Sequence, residues 1–458
     1  MVIFFKLRLQ ILILFFGLAS IENYSAQDNV VVKVHSLPSP NINCIFEYFY
    51  EEGWKNLTSK SFEQGDKISL NIKFEHTGQY RIRMASNPEH WGDFIVDISK
   101  GNSPALNIEV NYNDLKKQPI RIDTSKEHDA YSSLMIAYNS LSLNPDSLER
   151  NSLDYLKKER EFYSLCEKTR AEFPGTYTGD VLAKVLGAPI APFWKFPAPS
   201  VDSLRAYNAK HGLDYLNLTN HDVFHHIGFV RKLNLHFNYF FEQKITEQYI
   251  DQVMVKALAD DNATTFLFKF LLDKMIAYKD ENGLSYLITW YSSDCAEGDL
   301  LNDATKNLLH ALENCKPGNK VEMLTLPDIN GRLIAMSDIV AKNKITLLLF
   351  WKSSCSHCKE FEPVLEGIYE KYHPLGVEVY AIGTDKQQEA WQSEMKIRTS
   401  AWPSVFLAFT ARKDFSKRFP VPSTPTLIAV DQNGKILRRM IMRSKLESIL
   451  DEMLTEIK

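Results

Sequence analysis

Six residues, Ile345 to Phe350, form an apolar run that ends at Trp351 and leads, four positions later, to a Cys-x-x-Cys pair, Cys355 and Cys358. An amphipathic helical pattern then runs from Ser356 to Tyr372. A short run of this kind reads as a strand buried on both faces. A buried strand that delivers two cysteines to a helix start admits few folds. The first thiol meets the free N–H groups and the positive end of the helix dipole, which favour its thiolate. The thiolate is the attacking species in thiol–disulfide exchange. Cys355 is therefore the candidate nucleophile and Cys358 the resolving thiol. His357, as a partly charged imidazole, further favours the thiolate and pulls the pair toward an oxidising poise. Its competing reading is an exposed turn residue without influence.

Other uses of the pair fit less well. A zinc site calls for a second Cys-x-x-Cys or paired histidines. Covalent haem attachment needs His directly after the second cysteine, where Lys359 stands. Two inert structural thiols are the plain alternative. No metal or cofactor is expected at this site.

The 458 residues suggest several domains, and 45% apolar with 24% charged residues is ordinary for a globular chain. A net charge of −4 gives no basic face for nucleic acid. At the N-terminus Lys6 and Arg8 precede Ile11 to Leu18, and small residues follow at Ser25 and Ala26. This reads as a signal peptide over residues 1–26, although Tyr24 is larger than expected two positions before Ala26. The run is short for a membrane span; an uncleaved anchor is the competing reading. Export, to the periplasm or beyond, would place the six cysteines in an oxidising compartment. Cys295 and Cys315 either bridge or remain separate buried thiols.

Residues 27–124 alternate β-rich runs (Val30–Val34, Cys44–Tyr50, Lys67–Phe74, Tyr80–Met84, Phe94–Ile98) with Gly-marked turns, the pattern of an all-β sandwich. Phe46, Tyr48, Phe49, Tyr50 and Trp54 read as core. Residues 125–318 read as mostly helical. His221 and His225, four apart, have the spacing to chelate a metal on a helix face, but Gly228 and Asn234 weaken the helix, and ordinary packing histidines are the favoured reading. Pro317-Gly318-Asn319 reads as a hinge. Residues 319–458 then alternate: Val321–Leu326 strand, the buried run, helix, Val377–Ile382 strand, Lys386–Met395 helix, a hairpin across Gln432-Asn433-Gly434, and a capping box at Ser444 and Glu447 opening the last helix.

Phe350-Trp351, Cys355-Ser-His-Cys358, Pro363 and Thr424-Pro425-Thr426 together resemble the thioredoxin-like superfamily, in particular the exported TlpA/ResA-type thiol–disulfide oxidoreductases. The resemblance implies an α/β thioredoxin-like fold for residues 319–458. It implies a cis Thr424–Pro425 bond facing the cysteines, with Thr424 and Pro425 holding an extended substrate, and Trp351 and His357 tuning the pair. It further implies protein thiols or disulfides as partners, a membrane electron donor or acceptor, and work as a reductase. Two departures stand out. Thioredoxins keep a buried acid where this chain has Leu349, and ResA-type proteins keep one where it has Phe361; Glu360 and Glu362 flank that position and are expected to point elsewhere. The missing acids support an alternative, a binding or scaffold protein with a vestigial thioredoxin-like domain.

Overall fold

The computed structural model describes residues 27–35, 41–50, 53–63, 67–74, 76–85, 91–97, 106–111, 120–123, 126–142, 153–186, 221–258, 260–292, 301–398, 401–408 and 415–457. The signal-peptide segment, the Pro-rich stretch 189–199, the Asn144-Pro145-Asp146 break and Cys295 lie outside these residues. Among the described residues no helix is long and apolar enough to cross a membrane. The chain divides into two compact units, Met1–Tyr239 and Phe240–Lys458.

The first unit opens with eight strands: β1 (Gln27–His35), β2 (Asn41–Tyr50), β3 (Gly53–Glu63), β4 (Lys67–Lys73), β5 (Gly78–Met84), β6 (Trp91–Val96), β7 (Leu106–Asn111) and β8 (Ile120–Asp123). They form two four-stranded sheets, ordered β4-β1-β7-β8 and β3-β2-β5-β6. Sequence patterning passes over β3, β7 and β8. The reason is plain for β3: it is an edge strand whose Lys, Ser and Thr side chains are largely exposed, so no apolar alternation marks it. Phe46 and Phe49 are buried, while Tyr48, Tyr50 and Trp54 are half-buried. Helices α1 (Lys126–Ser142) and α2 (Leu153–Glu172), a π-helical turn (Tyr177–Leu182) and α3 (Ile227–Glu242) follow. Helix α3 forms despite Gly228 and Asn234, because Phe229, Val230, Leu233 and Phe237 lie along one buried face.

In the second unit, α4 (Thr246–Ala257), α5 (Asp261–Tyr278), α6 (Glu281–Ser292) and α7 (Asp303–Asn314) precede the α/β part. That part runs β9 (Thr325–Pro327), β10 (Leu333–Ala335), α8 (Met336–Val340), β11 (Ile345–Trp351), α9 (Ser356–Tyr372), β12 (Val377–Gly383), α10 (Gln388–Met395), β13 (Ser404–Phe406), β14 (Thr426–Asp431), β15 (Ile436–Arg439) and α11 (Leu446–Glu456). The main sheet has the order β13-β12-β11-β14-β15. β11 is central, parallel to β12 and antiparallel to β14. All seven of its residues are buried. The pleat sends Ile345, Leu347, Leu349 and Trp351 into one apolar cluster and Leu348 and Phe350 into the other.

Three local expectations need correction. The leading strand shrinks to Thr325–Pro327, paired with Leu333–Ala335. The capping box does not form: Arg443–Lys445 makes a 3₁₀ turn, the helix starts at Leu446 without a side-chain cap, and Glu447 instead pairs with Lys371 at 2.7 Å. The Pro317-Gly318-Asn319 turn is pinned rather than loose. Gly318 N donates to Ile436 O at 2.8 Å, Ile436 N donates to Asn319 O at 2.8 Å, and Asn319 Nδ2 donates to Glu313 O at 3.0 Å.

A buried arginine strengthens the same junction. The Arg439 side chain is 1% exposed. Its Nε donates to both carboxylate oxygens of Glu281 at 3.0 Å, and its Nη1 donates to the Leu312 carbonyl near the end of α7. Arg439→Ala should destabilise the second unit by about 2 kcal/mol, because it strips the buried Leu312 carbonyl of its charged donor while leaving Glu281, 34% exposed, to solvent. The shift of tryptophan-monitored urea unfolding checks this; a change below about 1 kcal/mol would assign the junction to apolar packing alone.

Candidate active site

The site lies where β11 leaves the sheet. Thr384, directly after β12, donates from both its N–H and its hydroxyl to the Trp351 carbonyl, at 2.8 and 2.9 Å. Asp385 accepts from Ser353 N at 2.9 Å and from Ser353 Oγ at 2.5 Å. Ser353, Thr384 and Asp385 are all buried. The loop that carries the cysteines is thus stapled to the end of the neighbouring parallel strand. Polar satisfaction of this buried segment explains its shape.

Cys355 is the N-cap of α9, and its sulfur accepts from Cys358 N at 3.2 Å. The same sulfur lies 3.2 Å from the Thr424 carbonyl, to which its thiol donates. The Thr424–Pro425 bond is cis, as the resemblance implied. In the dithiol the Thr424 carbonyl is therefore engaged by Cys355. Loss of the thiol proton releases it.

Both cysteines are free thiols, and their surroundings separate them. Partial burial works to raise Cys355, but side-chain hydrogen bonds with Cys358 and Thr424 and the backbone N–H groups of Cys358 and His357 outweigh it, and its pKa is lowered from 9.0. Cys358 is buried, and that burial, reinforced by the hydrogen bond with Cys355, pushes its pKa up to about 12. One thiol is prepared to ionise and the other to stay protonated.

The His357 ring is turned outward, with a 66% exposed side chain, and pairs with Glu360 at 3.2 Å. Its backbone N–H, not its ring, reaches the Cys355 sulfur. Its carbonyl accepts from Arg443 Nη1 at 3.0 Å. Trp351 is 1% exposed, and the Arg398 guanidinium carbon sits 3.7 Å from the centre of its ring. Arg398 in turn pairs with Glu362 at 2.9 Å.

Glu362 corrects an expectation. Leu349 and Phe361 do occupy buried apolar positions in one cluster with Cys358. Glu362, however, does not point away. Together with Cys358, Trp351, Arg398 and Pro425 it lines a void of about 10 Å³ behind the resolving thiol. Burial raises the Glu362 carboxyl, and Arg398 opposes that rise. The void sits at the lower limit for one water molecule, about 10–15 Å³.

Two residues escape motif reading, Asp385 and Arg398. Asp385 had a usable signal, since it follows a buried strand at the carboxyl end of a parallel pair, where sites collect. Arg398 carries none. In the first unit, His221 and His225 fall in a 3₁₀ turn, His221–His225, not on an α-helical face. The His225 Nδ1 lies 3.0 Å from the Thr77 carbonyl, and its ring stacks on Tyr50 at 5.2 Å. No group of three or more potential metal ligands occurs among the described residues. Cys315 is a free, buried thiol that donates to the Arg418 carbonyl at 3.2 Å.

A partly exposed thiol at a helix N-terminus, a buried partner thiol and a facing cis-proline on a β-α-β-β-α core define a thioredoxin-like domain. Sequence comparison with known proteins agrees. Residues 343–436 match a family model described as thioredoxin-like. A 145-residue stretch is 26% identical to thiol-disulfide oxidoreductase ResA of Bacillus thuringiensis subsp. konkukian (strain 97-27), spanning 32% of this chain and 80% of that protein. ResA of Bacillus subtilis (strain 168) is 25% identical over 146 residues, 32% of this chain and 78% of that one. Among solved structures, the thioredoxin domain of a thiol-disulfide oxidoreductase from Bacteroides vulgatus is 26% identical, with 30% of this chain and 97% of that one covered and a TM-score of 0.28. The chain carries a thioredoxin-like domain of the TlpA/ResA type, similar to thiol–disulfide oxidoreductases.

The separation of the two thiols predicts a pH signature. Because the thiolate is the reactive form and the Cys355 pKa is lowered, its alkylation rate should reach half-maximum below pH 9.0. Cys358 should stay unreactive until pH approaches about 12. Iodoacetamide labelling followed by peptide mass spectrometry reads both; equal labelling of the two cysteines at pH 7 would contradict the assignment.

Proposed function

We propose that this protein is exported and reduces disulfides in protein substrates. The Cys355 thiolate attacks one sulfur of the substrate disulfide. A mixed disulfide forms, and the other substrate sulfur departs as a thiolate that takes up a proton. Cys358 then loses its proton and attacks the Cys355 sulfur. That releases the second substrate thiol and leaves the Cys355–Cys358 disulfide. Two electrons pass from the enzyme dithiol to the substrate, and a membrane electron donor restores the dithiol. The observation that carries the reading is the divergent setting of the two thiols on one helix N-terminus.

Glu362 lines the same small void as Cys358, which supports it as the acceptor of the Cys358 proton. It stands in for the acid absent at Phe361, one position earlier on the helix. The outward His357 ring, paired with Glu360, removes the ring as a reason for an oxidising poise. Thr424 and Pro425 hold the substrate strand, and Trp351 packs beneath Cys358. The two four-stranded sheets support a β-sandwich over residues 27–124, followed by a helical region to 318 and the thioredoxin-like domain from 319. The signal-like N-terminus supports export.

A scaffold with a vestigial domain is the competing function, and a lowered Cys355 pKa argues against it. Insulin reduction, driven by a small dithiol, separates them. The native chain should turn over, Cys355→Ser should abolish turnover, and Glu362→Gln should slow it by about 10-fold or more, as for loss of a proton acceptor. No Cys355-dependent reduction by the folded protein would leave the scaffold reading standing.

A further inference from the structure

A pocket of about 320 Å³ shares Thr424, whose carbonyl contacts the Cys355 sulfur, with the cysteine site. Its apolar lining includes Phe415 and Phe419, its rim includes Lys352 and Thr424, and Ala304 and Leu308 of α7 contribute to its wall. Helix α7 precedes the segment that matches the thioredoxin-like family model, residues 343–436. The pocket is therefore completed by a part of this chain outside that match.

The wall is firmly built. Asn314 Nδ2 donates to the Lys417 carbonyl at 3.2 Å, and the Cys315 thiol donates to the Arg418 carbonyl at 3.2 Å. Arg439 holds the Leu312 carbonyl from the other side. Lys417 and Arg418 lie between the two phenylalanines of the lining, whose rings stack at 4.9 Å. Wall and lining are thus tied together. The lining segment runs on to Thr424, whose carbonyl contacts the Cys355 sulfur at 3.2 Å. A polypeptide whose sulfur meets Cys355 would have an adjacent side chain within reach of this pocket, since an extended chain advances about 3.3 Å per residue.

We propose that the pocket receives a bulky apolar side chain of the protein substrate, next to its reactive cysteine, and that α7 is the element that sets this preference. The proposal rests on the exchange reaction proposed above. The aromatic lining favours Phe, Trp or Leu. Lys352 at the rim disfavours a cationic side chain there. The volume lies at the low end of the roughly 300–1,000 Å³ typical of ligand pockets, suited to one large side chain.

Single-turnover kinetics of the reduced full-length protein test it. The substrates are short peptides whose cysteine is disulfide-linked to thionitrobenzoate, with Phe, Ala or Lys on either side of that cysteine. The symmetrical thionitrobenzoate disulfide serves as the reagent without a peptide. In the native protein the Phe peptide should react about 10-fold or more faster than the Ala peptide, with Lys slowest, as expected for one apolar pocket. The Phe-to-Ala ratio should fall below about 2 in Ala304→Trp, which fills the pocket from an exposed position, and in Leu308→Glu, with circular dichroism confirming that both fold. Equal Phe and Ala rates in the native protein, or a ratio unchanged in both folded variants, would overturn the pocket's role. Failure of every disulfide, the peptide-free reagent included, to react through Cys355 would instead overturn the exchange reading beneath it.

Discussion

The double burial of Ile345–Trp351 is the constraint on which the catalytic end of the molecule depends. A strand with apolar neighbours on both faces has one register, because a one-residue slip would exchange its two sets of side chains between the clusters that receive them. Register in turn fixes where the chain leaves the sheet. Thr384 and Asp385, at the end of the adjacent parallel strand, then close on Trp351 and Ser353. Only with that loop set does the first turn of the following helix present Cys358 N to the Cys355 sulfur.

From this placement the two thiols acquire opposite characters. They are chemically identical and three residues apart. Cys355 sits at the cap, where backbone N–H groups and the Thr424 side chain favour the thiolate over the cost of partial burial. Cys358 turns inward among Trp351, Phe361 and Leu365, where burial keeps the proton on. Exchange chemistry needs this asymmetry: one sulfur ready to attack, the other held back until a mixed disulfide makes its attack useful.

Much of this was legible in the sequence for physical reasons. Strong periodicity and a turn such as Gln432-Asn433-Gly434 mark the α/β part, and the cysteine spacing marks the site. The missed parts depend on tertiary contacts. Asp385 and Arg398 act on residues far away in sequence, and Glu362 faces the void only because of how α9 sits against the sheet. His357 looked electrostatically important from its position between the cysteines, yet its ring is exposed and paired with Glu360. Strand β3, polar and at a sheet edge, and the unformed cap at Ser444 show the converse: local patterns that are weak or ambiguous without their neighbours.

The helices before the thioredoxin-like core are tied to it through Arg439, Asn314 and Cys315. The central claim remains the division of labour between Cys355 and Cys358. Its most direct measurement is a trap: the Cys358→Ala protein incubated with a disulfide-containing protein, then resolved by non-reducing electrophoresis and peptide mass spectrometry. The account predicts a stable mixed disulfide, mapped to Cys355 and absent in Cys355→Ser. An adduct that maps to another cysteine, or that forms equally well without Cys355, would contradict it.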